Sequence, residues 1–178
     1  MTEAGALLAD EVGLDRLSMG LLAERLGVRT PSLYKHVDGL GDLVHRIAVL
    51  ATVELGDTMR EATQGRSGTD ALVAAAQAIR SYVKEHPGRY AAGNREQPDG
   101  PDDPLDAAIA RTLTAFWAVL RGYDLDPDQE VHALRMLRST LHGFTVLEAG
   151  GGFHLDTDID ASFAWLVDLI DRGLRRQV

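Results

Sequence analysis

Residues 18–37 read SMGLLAERLGVRTPSLYKHV. Ser18 is placed as the N-cap of a short helix carrying Leu22, Ala23 and Leu26, and Gly27 can close that helix in the left-handed conformation. Thr30-Pro31 is a second start signal, threonine as N-cap and proline at the first helical position, so another short helix is expected from Pro31 to about His36. Ala23 is small where two helices must cross closely, and Leu22, Leu26, Val28, Leu33 and Val37 can pack as one small core. Two short helices on either side of a Gly-Val-Arg-Thr turn make the helix-turn-helix pattern, whose second helix enters the DNA major groove. A tight helical hairpin with no nucleic-acid role has the same spacing.

The outward-facing side chains favour the DNA reading. Arg29, Thr30, Ser32, Tyr34, Lys35 and His36 form a run of hydrogen-bond donors on a helix too short and polar to need them for packing. From Arg25 to Val37 there is no acidic residue, and Lys35 is one of only two lysines in the chain. A polyanion would have to sit on such a window.

Outward from this stretch, apolar residues recur at helical spacing and no sustained alternation marks a strand, so the chain is expected to be all-α. A first helix should run from Thr2 to Val12, with Ala4, Leu7, Leu8 and Val12 on one face and Gly13 as its stop. After the turn at Val37-Asp38-Gly39, a long helix is expected from Leu40 to Thr63, able to connect two domains. Leu72, Ala76, Ile79 and Val83 mark the next helix, which should end at His86-Pro87-Gly88. Residues 94–104 hold three prolines and a glycine and are expected to be a mobile loop. Leu105 to Leu120, then Val131 to Val146, then Asp158 to Arg176 carry the last three helical stripes. The final one is acidic at its start and basic at its end, which suits the helix dipole.

Composition bounds the rest. With 178 residues, 45% of them hydrophobic, the chain can bury a real core. No apolar run approaches a membrane span and no signal-peptide pattern opens the chain, which makes a cytoplasmic protein the expectation. The absence of cysteine removes thiolate zinc sites and cysteine nucleophiles. No HExxH, GxSxG or phosphate-loop motif is present, so neither an enzyme nor a cofactor or metal site is expected. The net charge of −9 argues against a polyanion partner when taken alone. It is spread over both parts of the chain, six basic against nine acidic residues lying within the first 60. Affinity for phosphate depends on the local field, so the sum leaves the question open.

The stretch from Glu11 to Ser18, then Leu22-Ala23-Glu-Arg-Leu26-Gly27-Val28-Arg-Thr-Pro31-Ser32-Leu33-Tyr34-Lys-His36-Val37 and Asp42-Leu43, resembles the DNA-binding domain of the tetracycline-repressor (TetR) family of transcriptional regulators. It is especially similar to the branch with Pro-(Ser/Thr)-Leu-Tyr-x-His in the recognition helix. The resemblance implies that Ser18, Ser32, Tyr34 and His36 contact phosphates, that Thr30 and Pro31 approach base edges, and that Lys35 lies at the backbone or a base edge. Arg29 is implied as a base or phosphate contact. Two departures stand out: Leu40, with the negative charge of Asp38 nearby, occupies a position that often holds a phosphate-binding lysine, and the first helix is short at its start and lacks the basic lead-in that family members often use on the DNA backbone.

The same resemblance implies an all-α architecture in two parts: a three-helix helix-turn-helix DNA-binding domain over residues 1–45 and a helical ligand-binding and dimerisation domain over 46–178. The run from Leu134 through His142-Gly143 to Phe153, together with His86-Pro87-Gly88-Arg89-Tyr90, resembles the C-terminal subtype named for a Trp/Leu-His-Gly signature. Tyr90, Phe116, Trp117, Leu120, Met136 and Leu137 are candidates for an apolar effector cavity, with plain core as the alternative. His142 is either a satisfied core histidine or a polar contact in that cavity. Gly143 would let another helix approach closely. The last two long helices suit a four-helix bundle with a second copy. The implied function is a ligand-released homodimeric repressor reading a palindromic double-stranded DNA operator through the helix from Pro31 to His36, its small-molecule effector of unknown class. A TetR-like ligand- or protein-binding dimer with weakened or lost operator binding is the alternative that Leu40, Asp38 and the net charge support.

Overall fold

The computed structural model describes residues 1–175; the expected basic residue Arg176 lies outside them. Among the described residues there are only helices and turns. They are α1 (Thr2–Val12), α2 (Met19–Leu26), α3 (Thr30–Leu33), α4 (Leu40–Thr63), α5 (Gly68–Glu85), α6 (Pro87–Arg95), α7 (Pro104–Leu120), α8 (Glu130–Ala149) and α9 (Ile159–Arg175). The chain divides into two compact units. One holds Met1–Leu55 with Glu85–Arg111, and the other holds Gly56–Lys84 with the chain from Thr112 onward.

In the first unit, Leu22, Ala23, Leu33 and Val37 join Leu14, Leu17, Met19, Leu43, Val44 and Ile47 in one core. Leu26 and Val28, expected inside it, are instead 40% and 44% exposed. Side chains from α1 and α4 fill the centre, so the two residues flanking the Gly27 turn are left at the rim. The buried face of α1 also differs from the expected stripe: Leu7 is 48% exposed, whereas Ala6 and Ala9 are fully buried. The cause is α6, a helix with little sequence signal, which lies against α1 through small residues. A Cβ at Gly88 would collide with the carbonyl group of Ala9 and stand 2.6 Å from the Asp10 nitrogen. Only glycine permits so close an approach of two backbones.

Helix α6 was absent from the sequence expectation because glycine and alanine, not large apolar residues, make its contact. It continues to Arg95, which shortens the expected loop. What remains is folded around Asp103, whose carboxylate accepts the backbone N–H of Asp99 at 2.8 Å and of Leu105 at 2.8 Å.

In the second unit, Leu72, Ala76, Ile79 and Val83 of α5 are buried as their spacing predicts, with Phe116, Val119, Leu137, Leu141, Phe163, Val167 and Leu174. The guanidinium of Arg80 is paired with both Glu148 oxygens, at 2.7 and 2.6 Å, and lies 4.7 Å from the Phe163 ring centre. Helix α9 opens with Asp158 accepting the Asp160 N–H at 2.9 Å, the cap that its acidic start suggests.

Candidate nucleic-acid interface

The reading head is built by caps and two anchors. The Ser18 side chain accepts the Leu21 N–H at 3.2 Å and starts α2. Gly27, at φ 65°, ends it with its own N–H directed to the Ala23 and Glu24 carbonyls. Leu33 and Val37 are 3% and 2% exposed and hold the next segment down. Between and before them Arg29, Pro31, Ser32, Tyr34, Lys35 and His36 are all exposed, and Thr30 and Ser18 are half-buried. All eight residues proposed for DNA contact therefore reach solvent, and Tyr34 stands out at 55%. Ser18 accepts a hydrogen bond with its oxygen, which leaves its own O–H to donate.

The recognition helix differs in detail from the expected helix ending at His36. It starts one residue earlier, at Thr30, and is regular only to Leu33. Arg29 is its N-cap residue and makes no side-chain cap bond, so Thr30 does not serve as the cap. Residues 34–36 continue as a turn, with the His36 N–H on the Leu33 carbonyl at 2.9 Å and the Val37 N–H on the same oxygen at 3.2 Å. This tight turn fans Tyr34, Lys35 and His36 outward instead of stacking them along a longer helix.

Electrostatics sharpen the charge argument. The sequence window from Arg25 is free of acid, but Arg25 is paired with Glu11 of α1, one contact at 2.9 Å and the other shorter. That pair lowers the Glu11 carboxyl below its ordinary value, chiefly through the hydrogen bond from Arg25. Arg46 is likewise occupied by Asp42 at 2.8 and 2.9 Å, and Asp42 also accepts the Asp38 N–H. Among the described residues, no ion pair is seen at Arg29 or Lys35, so the recognition segment keeps two positive charges that no carboxylate neutralises by direct contact. Leu40 is 38% exposed at the start of α4.

The residues proposed for the effector fall in both units. Tyr90 lies in the first unit and the other six in the second. Trp117 and Leu120 line a cleft of 320 Å³ with Arg121, Asp124, Leu125 and Glu130. Met136 lines a separate apolar groove of 490 Å³ between α8 and α9, with His132, Ala133, Thr140, Leu169 and Gly173 among its other walls. Phe116 and Leu137 are core residues at 5% and 1% exposure. His142 is half-buried, and burial, with Arg138 nearby, holds its ring below the usual histidine range. A Cβ at Gly143 would meet nothing within 4 Å among the described residues, so the close helix approach expected there is not made by any of them. No group of three or more potential metal ligands is found among the described residues.

Sequence reading missed two polar clusters in the first unit. Arg89 of α6, with a side chain 7% exposed, meets Asp10 at 3.0 Å and Glu54 at 2.9 Å. His45 of α4 meets Asp103 and Glu96. Neither has a local signature, because the partners are 35 to 79 positions apart in sequence.

A helix-turn-helix head with a solvent-facing, acid-poor recognition segment defines a DNA-binding protein. Residues 72–170 match the model of the tetracyclin repressor-like C-terminal domain. The chain is 38% identical over 178 residues to an uncharacterized HTH-type transcriptional regulator of Mycobacterium tuberculosis, covering 99% of this chain and 81% of that protein. It is 32% identical to the uncharacterized HTH-type transcriptional regulator YobS of Bacillus subtilis, covering 98% and 90%. A TetR variant from Acinetobacter baumannii AYE, solved in complex with minocycline, shares its fold at TM-score 0.71 and 23% identity, over 98% of this chain and 94% of that one. The chain belongs to the TetR family of transcriptional regulators: it is a DNA-binding regulator and not an enzyme. No described helix is long and apolar enough to cross a membrane.

Proposed function

We propose that the protein is a ligand-released homodimeric repressor that reads a palindromic operator through Arg29, Thr30, Pro31, Ser32, Tyr34, Lys35 and His36, with Ser18 on a phosphate. DNA reading is assigned to residues 1–45, and effector binding and dimerisation to residues 46–178. The observation that carries the reading is the reading head itself: six of the eight proposed contacts are exposed, Ser18 and Thr30 being half-buried, while Leu33 and Val37 anchor the segment from beneath. Since the operator is chromosomal DNA, the cytoplasm is the place of action.

The dimer is supported by the α8–α9 groove. Its apolar walls are left open by the described residues, and Leu169 and Met136 are 46% and 37% exposed there. Gly143 continues the α8 stripe of Met136 and Thr140 at helical spacing, and like Gly173 of α9 it leaves room for a close neighbour. A four-helix bundle with a second copy would bury this face and present two heads to half-sites about 34–36 Å apart. The Leu141-His142-Gly143 run supports the Trp/Leu-His-Gly subtype.

For the effector, the cleft at Trp117 is the better supported seat, because it joins an aromatic wall to Arg121, Asp124 and Glu130. A ligand that weakens operator binding by about 100-fold must prefer the released state by about 2.7 kcal/mol. Selection of bound duplexes from random-sequence DNA, alongside sedimentation of the protein, tests the reading. Inverted repeats and a dimer that Leu169→Glu splits into monomers are expected. Enrichment of a single unrepeated site, or a monomer in the unsubstituted protein at micromolar concentration, would contradict it.

A further inference from the structure

A cluster that neither DNA reading nor effector binding uses lies in the first unit, where α4, the end of α6 and the α6–α7 loop meet. Nε2 of His45 is 3.0 Å from Asp103 Oδ1, and Nδ1 is 3.4 Å from Glu96 Oε2. The imidazole is 21% exposed and the Asp103 side chain only 7%. Asp103 also takes the backbone N–H groups of Asp99 and Leu105, so the loop is wound around the carboxylate that His45 holds.

A neutral imidazole has one N–H and one lone pair, and between two carboxylates the lone pair would face an acceptor. Only the imidazolium can donate to both at once. We propose that His45 is a proton-operated clamp that holds both Asp103 of the α6–α7 loop and Glu96 when its ring is charged, and loosens that hold to a single hydrogen bond at most when the ring is neutral.

The charged groups facing His45 all favour the closed state: Asp103 from the loop, Glu96 from the end of α6 and Asp42 from its own helix. The Asp103 hydrogen bond raises the ring above its ordinary value of 6.5, with burial acting against it and Glu96 adding to the rise. Because the folded value is the higher one, the clamp is fully formed below about pH 6.5 and is lost as pH rises through the folded value. That window falls in the range where histidine switches operate. The clamp lies in the same unit as the reading head, on the helix that leaves it.

The test uses the full chain and needs no DNA. The His45 Cε1–H resonance is followed by NMR against pH, together with hydrogen exchange at the Asp99 and Leu105 amides corrected for intrinsic exchange. His45 is expected to titrate above 6.5, and Asp103→Asn and Glu96→Gln should each lower its midpoint, Asp103→Asn more. Protection of the two amides should fall by up to about tenfold per pH unit above that midpoint, the slope of one linked proton. In His45→Gln the same pH dependence should vanish. A midpoint at or below 6.5, a titration that neither carboxyl variant moves, or an unchanged pH dependence in His45→Gln would overturn the proposal.

Discussion

Gly88 is where a single atom matters most. Its missing Cβ is the space through which the Ala9 carbonyl passes, and backbone cannot swing aside as the end of a flexible side chain can. Gly88→Ala should therefore lower stability by about 1–3 kcal/mol or more, the range of overpacking in a tight core. Gly143→Ala makes the contrast. Nothing described lies within 4 Å of the added methyl, so helix propensity should raise monomer stability by up to about 1 kcal/mol. Chemical denaturation of both variants at low protein concentration checks the pair, and equal losses in the two would be inconsistent with the packing described. The two glycines also show what single residues reveal in sequence. The helix stop at Gly13 and the αL cap at Gly27 were legible because both positions demand a positive φ. The role of Gly88 was not, since it depends on a helix nearly eighty positions away. The pairing of Arg25 with Glu11 was hidden for the same reason: a window free of acid along the chain need not be free of acid in space.

At the scale of elements, the long helices were legible and the short or small-sided ones were less so. The α5 stripe of Leu72, Ala76, Ile79 and Val83 is buried as its period requires. The α6 helix escaped notice because its contact face is glycine and alanine, and α3 proved four residues long where a run to His36 was expected. The second unit also contains an element tie that no periodicity announces. Arg80 of α5 and Glu148 of α8 have side chains each 8% exposed, and Asp160 of α9 approaches Arg80 at 2.6 Å. Without Arg80, Glu148 keeps only the exposed Lys84 ammonium at 3.3 Å, so Arg80→Ala should cost up to about 3–5 kcal/mol by urea denaturation. A cost below about 1 kcal/mol, the range of surface pairs, would show that the tie is solvated. Its pH dependence has a definite sign. The Arg80 hydrogen bond holds the Glu148 carboxyl below its ordinary 4.5, so the stabilisation is present above about pH 4.5 and is lost as pH falls through the folded value. Glu148→Gln should flatten that acid limb.

For the whole molecule, the net charge of −9 gave the first objection to a DNA partner. The proposed answer lies in a small part of the surface: no ion pair is seen at Arg29 or Lys35 among the described residues, while Arg25 and Arg46 are paired with Glu11 and Asp42. With few phosphate contacts per head, one copy should bind weakly, and useful affinity requires two heads on one duplex. The helix-turn-helix head could be recognised from one stretch of sequence because its caps, anchors and outward donors lie within twenty consecutive residues. The effector seat has no such local stretch, because its candidates are scattered along the chain from Tyr90 to His142 and carry no fixed spacing. The most direct measurement is fluorescence anisotropy on a selected duplex across a salt series, with Tyr34→Ala and Lys35→Ala beside the unsubstituted protein. Loss of affinity in both variants is expected, with the salt slope reduced by about one per head in Lys35→Ala. Affinity that both substitutions leave unchanged would contradict operator reading by this segment.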